Sequence, residues 1–97
     1  MEAVGQETQR ELALRVLSSW GLDIKQRDQL LGNRENEIAV LSIFESLQSI
    51  FSEDKSRAYE WPKRPNAAFD GVSAVELMLA GEIERVRKYL KYHVYNA

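Results

Sequence analysis

Residues 61–97 read WPKRPNAAFDGVSAVELMLAGEIERVRKYLKYHVYNA, and this stretch decides which fold class the chain can adopt. Pro62 and Pro65 disfavour helical geometry in the residues before them, so the stretch opens as a kinked loop. Ser73 followed three residues later by Glu76 is a capping box, which predicts a short helix. A longer helix follows it to the chain end. The stretch therefore predicts a loop and two helices, without the alternation typical of strands.

The final helix separates into two faces when it is projected at 100° per residue. One face is aliphatic and suits a core: Ile83, Val86, Leu90 and Val94. The opposite face combines tyrosines with cations, a composition enriched at protein–protein hot spots: Arg85, Lys88, Tyr89, Tyr92 and Tyr95. Packing of these rings against the N-terminal half of the chain explains the spacing equally well.

Helical periodicity continues toward the N-terminus. An apolar stripe runs from Leu12 to Trp20 and stops at Gly21, a residue suited to the position after a helix end. Asp23 is a good N-cap for a second, short helix that ends at Gly32. The first 32 residues therefore predict two short helices.

Asn33 can start a third helix, and the apolar residues within 38–51 give it a broad apolar surface. Such a helix must be covered on more than one side, either by the rest of the domain or by a second copy of the chain. Ser52, followed by two carboxylates, predicts the start of a fourth helix that must stop near Pro62. The prediction is an all-α fold, a compact bundle of five to six helices whose third helix is long and apolar.

The composition excludes several classes of protein. With 97 residues, 44% hydrophobic and 29% charged, the chain is typical of one globular domain. Zero cysteines exclude disulfides and thiolate metal sites, and they fit a reducing cytoplasm, which is the location we expect. Charge interrupts every apolar stretch well before the roughly 18 residues that a membrane span needs. The first residues show no signal-peptide pattern.

The residue types that catalysis requires are poorly represented. His93 is the single histidine, so neither a His/Cys metal cluster nor a Ser–His pair with spare members can be assembled. The sequence has no glycine-rich phosphate loop, and its carboxylates scatter over helix surfaces. We therefore predict that the chain is not an enzyme and that it uses no cofactor and no metal.

The first two helices also bear on nucleic acid binding. Joined by Gly21, they could open a helix-turn-helix, in which a following recognition helix enters the major groove. Arg27 and Arg34 are then the candidate DNA contacts, but Glu35 and Glu37 would repel phosphate. DNA binding is an alternative that the sequence does not favour.

The segments after residue 38 resemble a known family. The motif WxxRPNxAFxG begins at Trp61, and it is followed by a short capped helix ending MLAG and by RKYL in the last helix. On these residues the chain resembles the Xre/MbcA/ParS family of bacterial antitoxins. The resemblance divides the chain into residues 1–37, similar to a truncated helix-turn-helix, and residues 38–97, similar to the family's toxin-binding domain. Compared with that module, the recognition helix is shortened or missing between Gly32 and Ile38.

The resemblance implies a type II antitoxin. Such antitoxins pair with RES-domain toxins, which use NAD, and their last residues help to close the toxin's NAD pocket. Full-length members also dimerise, which here would use residues 38–51, and repress their own operon. We expect the toxin contacts in the final helix and in the loop of residues 61–73, which we name the proline loop: Arg64, Asn66, Arg85, Lys88, Tyr92, Tyr95, Asn96 and Ala97. For Arg64 the alternative is a hydrogen bond to a helix end or to the loop, and for Asn66 it is a turn-forming side chain.

A helix end is a chemically reasonable group to block such a pocket. An NAD pocket must bind a dianionic pyrophosphate, whereas helix-end carbonyls carry partial negative charge and the carboxylate of Ala97 adds a formal charge. Lys88 and Arg85 would pair with acidic groups at the pocket rim and add mainly orientation and association rate. The alternative for each tyrosine is internal packing, which Tyr89 and Tyr59 fit best.

Overall fold

The computed structural model describes residues 8–96, and these form a bundle of helices. The α-helices are α1 (Gln9–Ser19), α2 (Ile24–Leu30), α3 (Arg34–Ile50), α4 (Lys55–Glu60), α5 (Ala74–Leu79) and α6 (Ile83–Tyr95). Single 3-10 turns at Trp61–Lys63 and Ala67–Phe69 lie between α4 and α5. Within residues 8–96, β-type pairing is limited to an isolated bridge between Pro65 and Ser73. The predicted all-α bundle is confirmed.

Side-chain caps fix where several helices begin. The Ser73 hydroxyl accepts a hydrogen bond from the Glu76 amide at 3.1 Å, and the Glu76 carboxylate accepts one from the Ser73 amide at 2.8 Å. Asp23 caps α2 through the same reciprocal arrangement. The Asn33 side chain accepts from the amide of Glu35 at the start of α3. These caps confirm the predicted starts of α2, α3 and α5.

The predicted cap of the fourth helix is wrong. Ser52 lies in a turn that follows α3, in which the Asp54 amide donates to the carbonyl of Phe51 at 3.1 Å. Because this turn uses the residues up to Asp54, α4 begins only at Lys55. The Asp54 carboxylate makes no capping bond to the helix backbone and accepts instead from the hydroxyl of Ser56 at 2.7 Å.

One hydrophobic core joins the N-terminal helices to the C-terminal ones. α3 lies at its centre and packs most extensively against α6 and then α1. The largest fully buried side chains come from α1 and its C-cap, from α3, α5 and α6, and from the proline loop: Leu17, Trp20, Val40, Ile43, Leu47, Pro62, Phe69, Met78, Val86 and Leu90. The Gln29 amide also donates to the carbonyl of Leu79, which links α2 to α5. The division at residues 37 and 38 stays a prediction.

α3 is long, as predicted, but its apolar character differs from expectation. Val40, Ile43 and Leu47 are fully buried, whereas Ile38 exposes 45% of its surface and Glu45 faces solvent. α3 is therefore amphipathic, with α1, α4 and α6 covering its apolar side. No helix among residues 8–96 has the length and apolar character that crossing a membrane requires.

Candidate functional site

α6 has the two faces that its periodicity predicts. The inward residues are aliphatic, the first three buried and the last half-buried: Ile83, Val86, Leu90 and Val94. On the outward side Tyr92 exposes 64% of its surface and Tyr95 exposes 80%. Lys88 is also exposed, and it makes no ion pair with any residue in the range 8–96. This outward face is free to contact another molecule.

Four rings join α6 to the loop that precedes α5; we name Trp61, Phe69, Tyr89 and His93 the aromatic cluster. Tyr89 stacks on Trp61, with ring centroids 6.1 Å apart and planes inclined by 16°. Phe69 meets Tyr89 at 5.1 Å and Trp61 at 6.0 Å, both edge-on. His93 lies 4.3 Å from Tyr89. These ring contacts hold the proline loop against α6.

The burial of Tyr59 differs from the expectation that this residue packs in the core. Tyr89 is half-buried among these rings, which agrees with internal packing. Tyr59 exposes 37% of its surface, so its placement in the core was wrong. It lies near the end of the short helix α4 and covers Phe44 from outside, with ring centroids 6.5 Å apart.

Asn66 is used by the loop itself. Its side-chain oxygen accepts from the Ala68 amide at 2.8 Å, and its carbonyl accepts from the amides of Phe69 and Gly71 at 2.9 and 3.0 Å. Its own amide donates to the carbonyl of Val72 at 3.1 Å. The turn-forming alternative therefore accounts for Asn66, and a toxin contact by this residue stays a prediction.

Arg85 ties α6 to the same loop. Its guanidinium lies 3.5 Å from the Asp70 carboxylate and 3.6 Å from that of Glu82, and it sits 5.6 Å above the Phe69 ring. We expected Arg85 to pair with acidic groups on a toxin, yet the carboxylates that it contacts here belong to its own chain. The sequence could not show this, because Asp70 is 15 positions away.

An open groove of about 280 Å³ lies beside the aromatic cluster. Its lining comes from the end of α3, from α4 and from the proline loop: Phe51, Ser56, Arg57, Glu60, Trp61 and Arg64. A smaller groove of about 140 Å³ shares Phe51 and Trp61 with it and continues to α6, where Tyr89 and His93 line it. We name the two together the Phe51–Trp61 groove. Arg64, a predicted toxin contact, therefore lines this groove.

Sequence reasoning missed Arg57 and Phe51 as members of this surface. The Arg57 guanidinium lies 5.2 Å above the Phe51 ring, within cation–π distance. The hydrogen bond from Ser56 is the main reason that the pKa of Asp54 is lowered, and Arg57 nearby adds to it. The four-residue interval from Arg57 to Trp61, about one helical turn, was a signal that could have grouped these two side chains.

Asn96 caps the C-terminal end of α6. Its side-chain amide donates to the Tyr92 carbonyl at 2.8 Å while its backbone amide donates to the same oxygen at 3.0 Å. This double cap keeps Tyr92 and Tyr95 on a regular helix up to its last turn. Ala97, a predicted toxin contact, lies outside the described residues.

The two candidate DNA contacts lie on different helices. Arg27, on α2, donates its Nε to the Asp23 carbonyl at 3.3 Å. Arg34 is the first residue of α3 and is exposed. Within the described range 8–96 the chain passes from α2 into α3 without a further helix, and α3 is the central core helix. Both residues stay predictions as DNA contacts.

Comparison with protein families identifies the kind of domain to which this surface belongs. Residues 46–93 match the family described as the antitoxin Xre/MbcA/ParS C-terminal toxin-binding domain. The groove, the aromatic cluster and most of α6 lie within this matched segment. Through this segment the chain belongs to the Xre/MbcA/ParS antitoxin family. Membership supports an antitoxin role and favours a regulatory protein over an enzyme.

A curated relative matches the chain over part of its length. The "Uncharacterized protein y4oB" of Sinorhizobium fredii is 46% identical over 54 residues. The match covers 53% of this chain and 41% of that protein, so the chain spans less than half of its relative. No solved structure matches the chain.

Proposed function

We propose that this chain is the antitoxin of a type II toxin–antitoxin system and that it neutralises a RES-domain, NAD-using toxin. In this proposal the C-terminal end of α6 covers the active site of the toxin. The observation that carries the proposal is the match of residues 46–93 to a toxin-binding domain. In this chain the helix at the end of that segment, α6, leaves Tyr92 and Tyr95 exposed. The complex would form in the cytoplasm, which suits a chain without cysteine.

The rigidity of α6 supports this role. Its inward face is held in the core, and the aromatic cluster fixes one flank. A side chain presented by a rigid helix loses little conformational entropy when it binds, and tyrosine offers a large contact area for two rotatable bonds. Tyr92 and Tyr95 therefore make efficient contacts for a partner protein.

The electrostatics of the helix end suit an NAD pocket. The last carbonyls of α6 carry partial negative charge, which matches a site that must bind a pyrophosphate. Lys88 lies one turn before Tyr92 and is unpaired within residues 8–96, so it can bind an acidic group at the pocket rim. Exposed pairs of this kind contribute mainly orientation and association rate.

Truncation tests the proposal. The full chain and a chain that ends at Lys91 are each expressed with a RES-domain toxin, and cell growth and intracellular NAD are measured. We expect the full chain to preserve both and the truncated chain to fail. An Arg27→Ala variant, changed on α2 instead, is the control and should neutralise normally. If the truncated chain protects cells as well as the full chain, the occlusion mechanism is wrong.

The surface that α3 leaves for a homodimer is smaller than the sequence predicts. α3 is already covered within one chain by α1, α4 and α6, so a second copy is not needed to bury it. A dimer through residues 38–51 would have to use the exposed side of α3, where Ile38 and Glu45 lie. Sedimentation at micromolar concentration decides between monomer and dimer.

A further inference from the structure

The Phe51–Trp61 groove is lined by two guanidinium groups, those of Arg57 and Arg64, and by one carboxylate, that of Glu60. Neither Arg57 nor Arg64 makes an ion pair with any residue of the described range. Both guanidinium groups line the larger groove together with the rings of Phe51 and Trp61. The groove therefore combines unpaired positive charge with apolar aromatic surface.

The carboxylates near the groove already have partners. Glu60 lies 3.6 Å from the ammonium group of Lys63. The Asp54 carboxylate accepts a hydrogen bond from the hydroxyl of Ser56 at 2.7 Å, which is the main reason that its pKa is lowered. The position of Arg64 is set by its backbone amide, which donates to the Trp61 carbonyl at 3.3 Å. Its side chain remains available for an anion from outside the chain.

The position of the groove within the matched domain is informative. Every residue that lines it lies within 46–93, the segment that matches the toxin-binding domain. Tyr95 and Asn96, at the end of α6, lie beyond that segment. The groove is therefore part of the toxin-binding domain, although it is separate from the helix end that would cover an active site.

We propose that this groove binds an acidic segment of the toxin. Arg57 and Arg64 would each bind a carboxylate, for which the planar guanidinium is well suited because it can donate two parallel hydrogen bonds. Phe51 and Trp61 would contact an apolar side chain between the two carboxylates. The inference rests on the proposed function, since the partner is the toxin. It assigns part of the affinity to the groove, whereas inhibition depends on the end of α6.

Charge reversal with a matched control tests this assignment. An Arg57→Glu/Arg64→Glu variant is compared with Arg27→Glu/Arg34→Glu, which makes the same charge change outside the groove. Binding to the purified toxin is measured by calorimetry at low and high salt. We expect the Kd of the groove variant for the toxin to be roughly 10- to 100-fold higher at low salt. Its binding should also lose most of its dependence on salt concentration. The control should change the Kd by less than about threefold.

A second readout separates binding from inhibition. With enough groove variant to saturate the toxin, NAD consumption should still stop, because α6 is intact. The chain that ends at Lys91 should bind the toxin but fail to stop NAD consumption. Thermal unfolding of each variant checks that its fold is retained, and Arg57→Lys/Arg64→Lys, which keeps the charge, should weaken binding less than reversal.

The outcomes distinguish the two proposals. If the unmodified chain does not bind a RES-domain toxin, the proposed function fails. If it binds and inhibits, but the groove variant binds equally well, only the groove inference is overturned. If the chain alone forms a dimer that charge reversal in the groove dissociates, the groove binds a second copy and the inference is likewise overturned.

Discussion

Phe69→Ala tests whether the aromatic cluster holds the proline loop against α6. Phe69 exposes 1% of its surface, and its ring contacts those of Trp61 and Tyr89 at 6.0 and 5.1 Å. Truncating a buried phenylalanine costs about 3–5 kcal/mol. We expect the upper part of this range, because two ring pairs, each contributing about 0.5–1.5 kcal/mol beyond burial, are lost together.

The expected loss is large compared with the stability of a small domain. Such a domain is stabilised by roughly 5–15 kcal/mol, so a loss of about 4 kcal/mol leaves it folded but much weakened. Urea unfolding followed by tryptophan fluorescence is the assay, since Trp61 belongs to the cluster and Trp20 is buried in the core, so both report unfolding. With an m-value of about 1–2 kcal/mol/M, the midpoint should fall by roughly 2–4 M.

Tyr59→Ala is the matched control for this experiment. Tyr59 exposes 37% of its surface and has one tilted ring contact, with Phe44. Its loss should cost about 1–1.5 kcal/mol or less. If Phe69→Ala destabilises the chain no more than Tyr59→Ala does, the aromatic cluster is not what holds the loop.

Three further predictions follow from individual residues. Tyr92→Ala/Tyr95→Ala should change the unfolding free energy by less than about 1 kcal/mol, because both rings are largely exposed, while weakening toxin binding measured by calorimetry at least 10-fold. Gly71→Ala should cost about 1 kcal/mol or more in thermal unfolding, since Gly71 has a φ of 87° and no atom within 4 Å of an added Cβ that could gain contact. Asp54→Asn should destabilise the chain at pH 7 but not at low pH. The lowered pKa of Asp54 gives a contribution that is present at neutral pH and is lost as the pH falls below 3.8 through that pKa, which urea unfolding at several pH values can follow.

Local patterns predicted the helices well. Asp23, Asn33 and Ser73 were each identified as caps from a few neighbouring residues, because a cap bonds within three positions of itself. The aliphatic face of α6 followed from spacing alone. The prediction that Ser52 caps the fourth helix was wrong for an equally local reason. The turn closed by the Asp54 amide occupies these residues, so α4 begins only after it. Sequence patterns did not show that competing turn.

The site depended on contacts that sequence spacing cannot reveal. Tyr59 contacts one other ring, that of Phe44, whereas Tyr89 contacts three, because α6 and the proline loop come together there. Arg85 pairs with Asp70, which the loop brings back to α6. The Phe51–Trp61 groove combines the end of α3 with α4 and α6, so it exists only in the folded chain.

The affinity of the toxin for NAD, measured with and without bound antitoxin, tests the central claim most directly. Titration of NAD into the isolated toxin, into its complex with the full chain and into its complex with the chain that ends at Lys91 separates occlusion from binding. Our account predicts that NAD binds the isolated toxin and the second complex but not the first. NAD binding to the full complex with the affinity of the free toxin would contradict it.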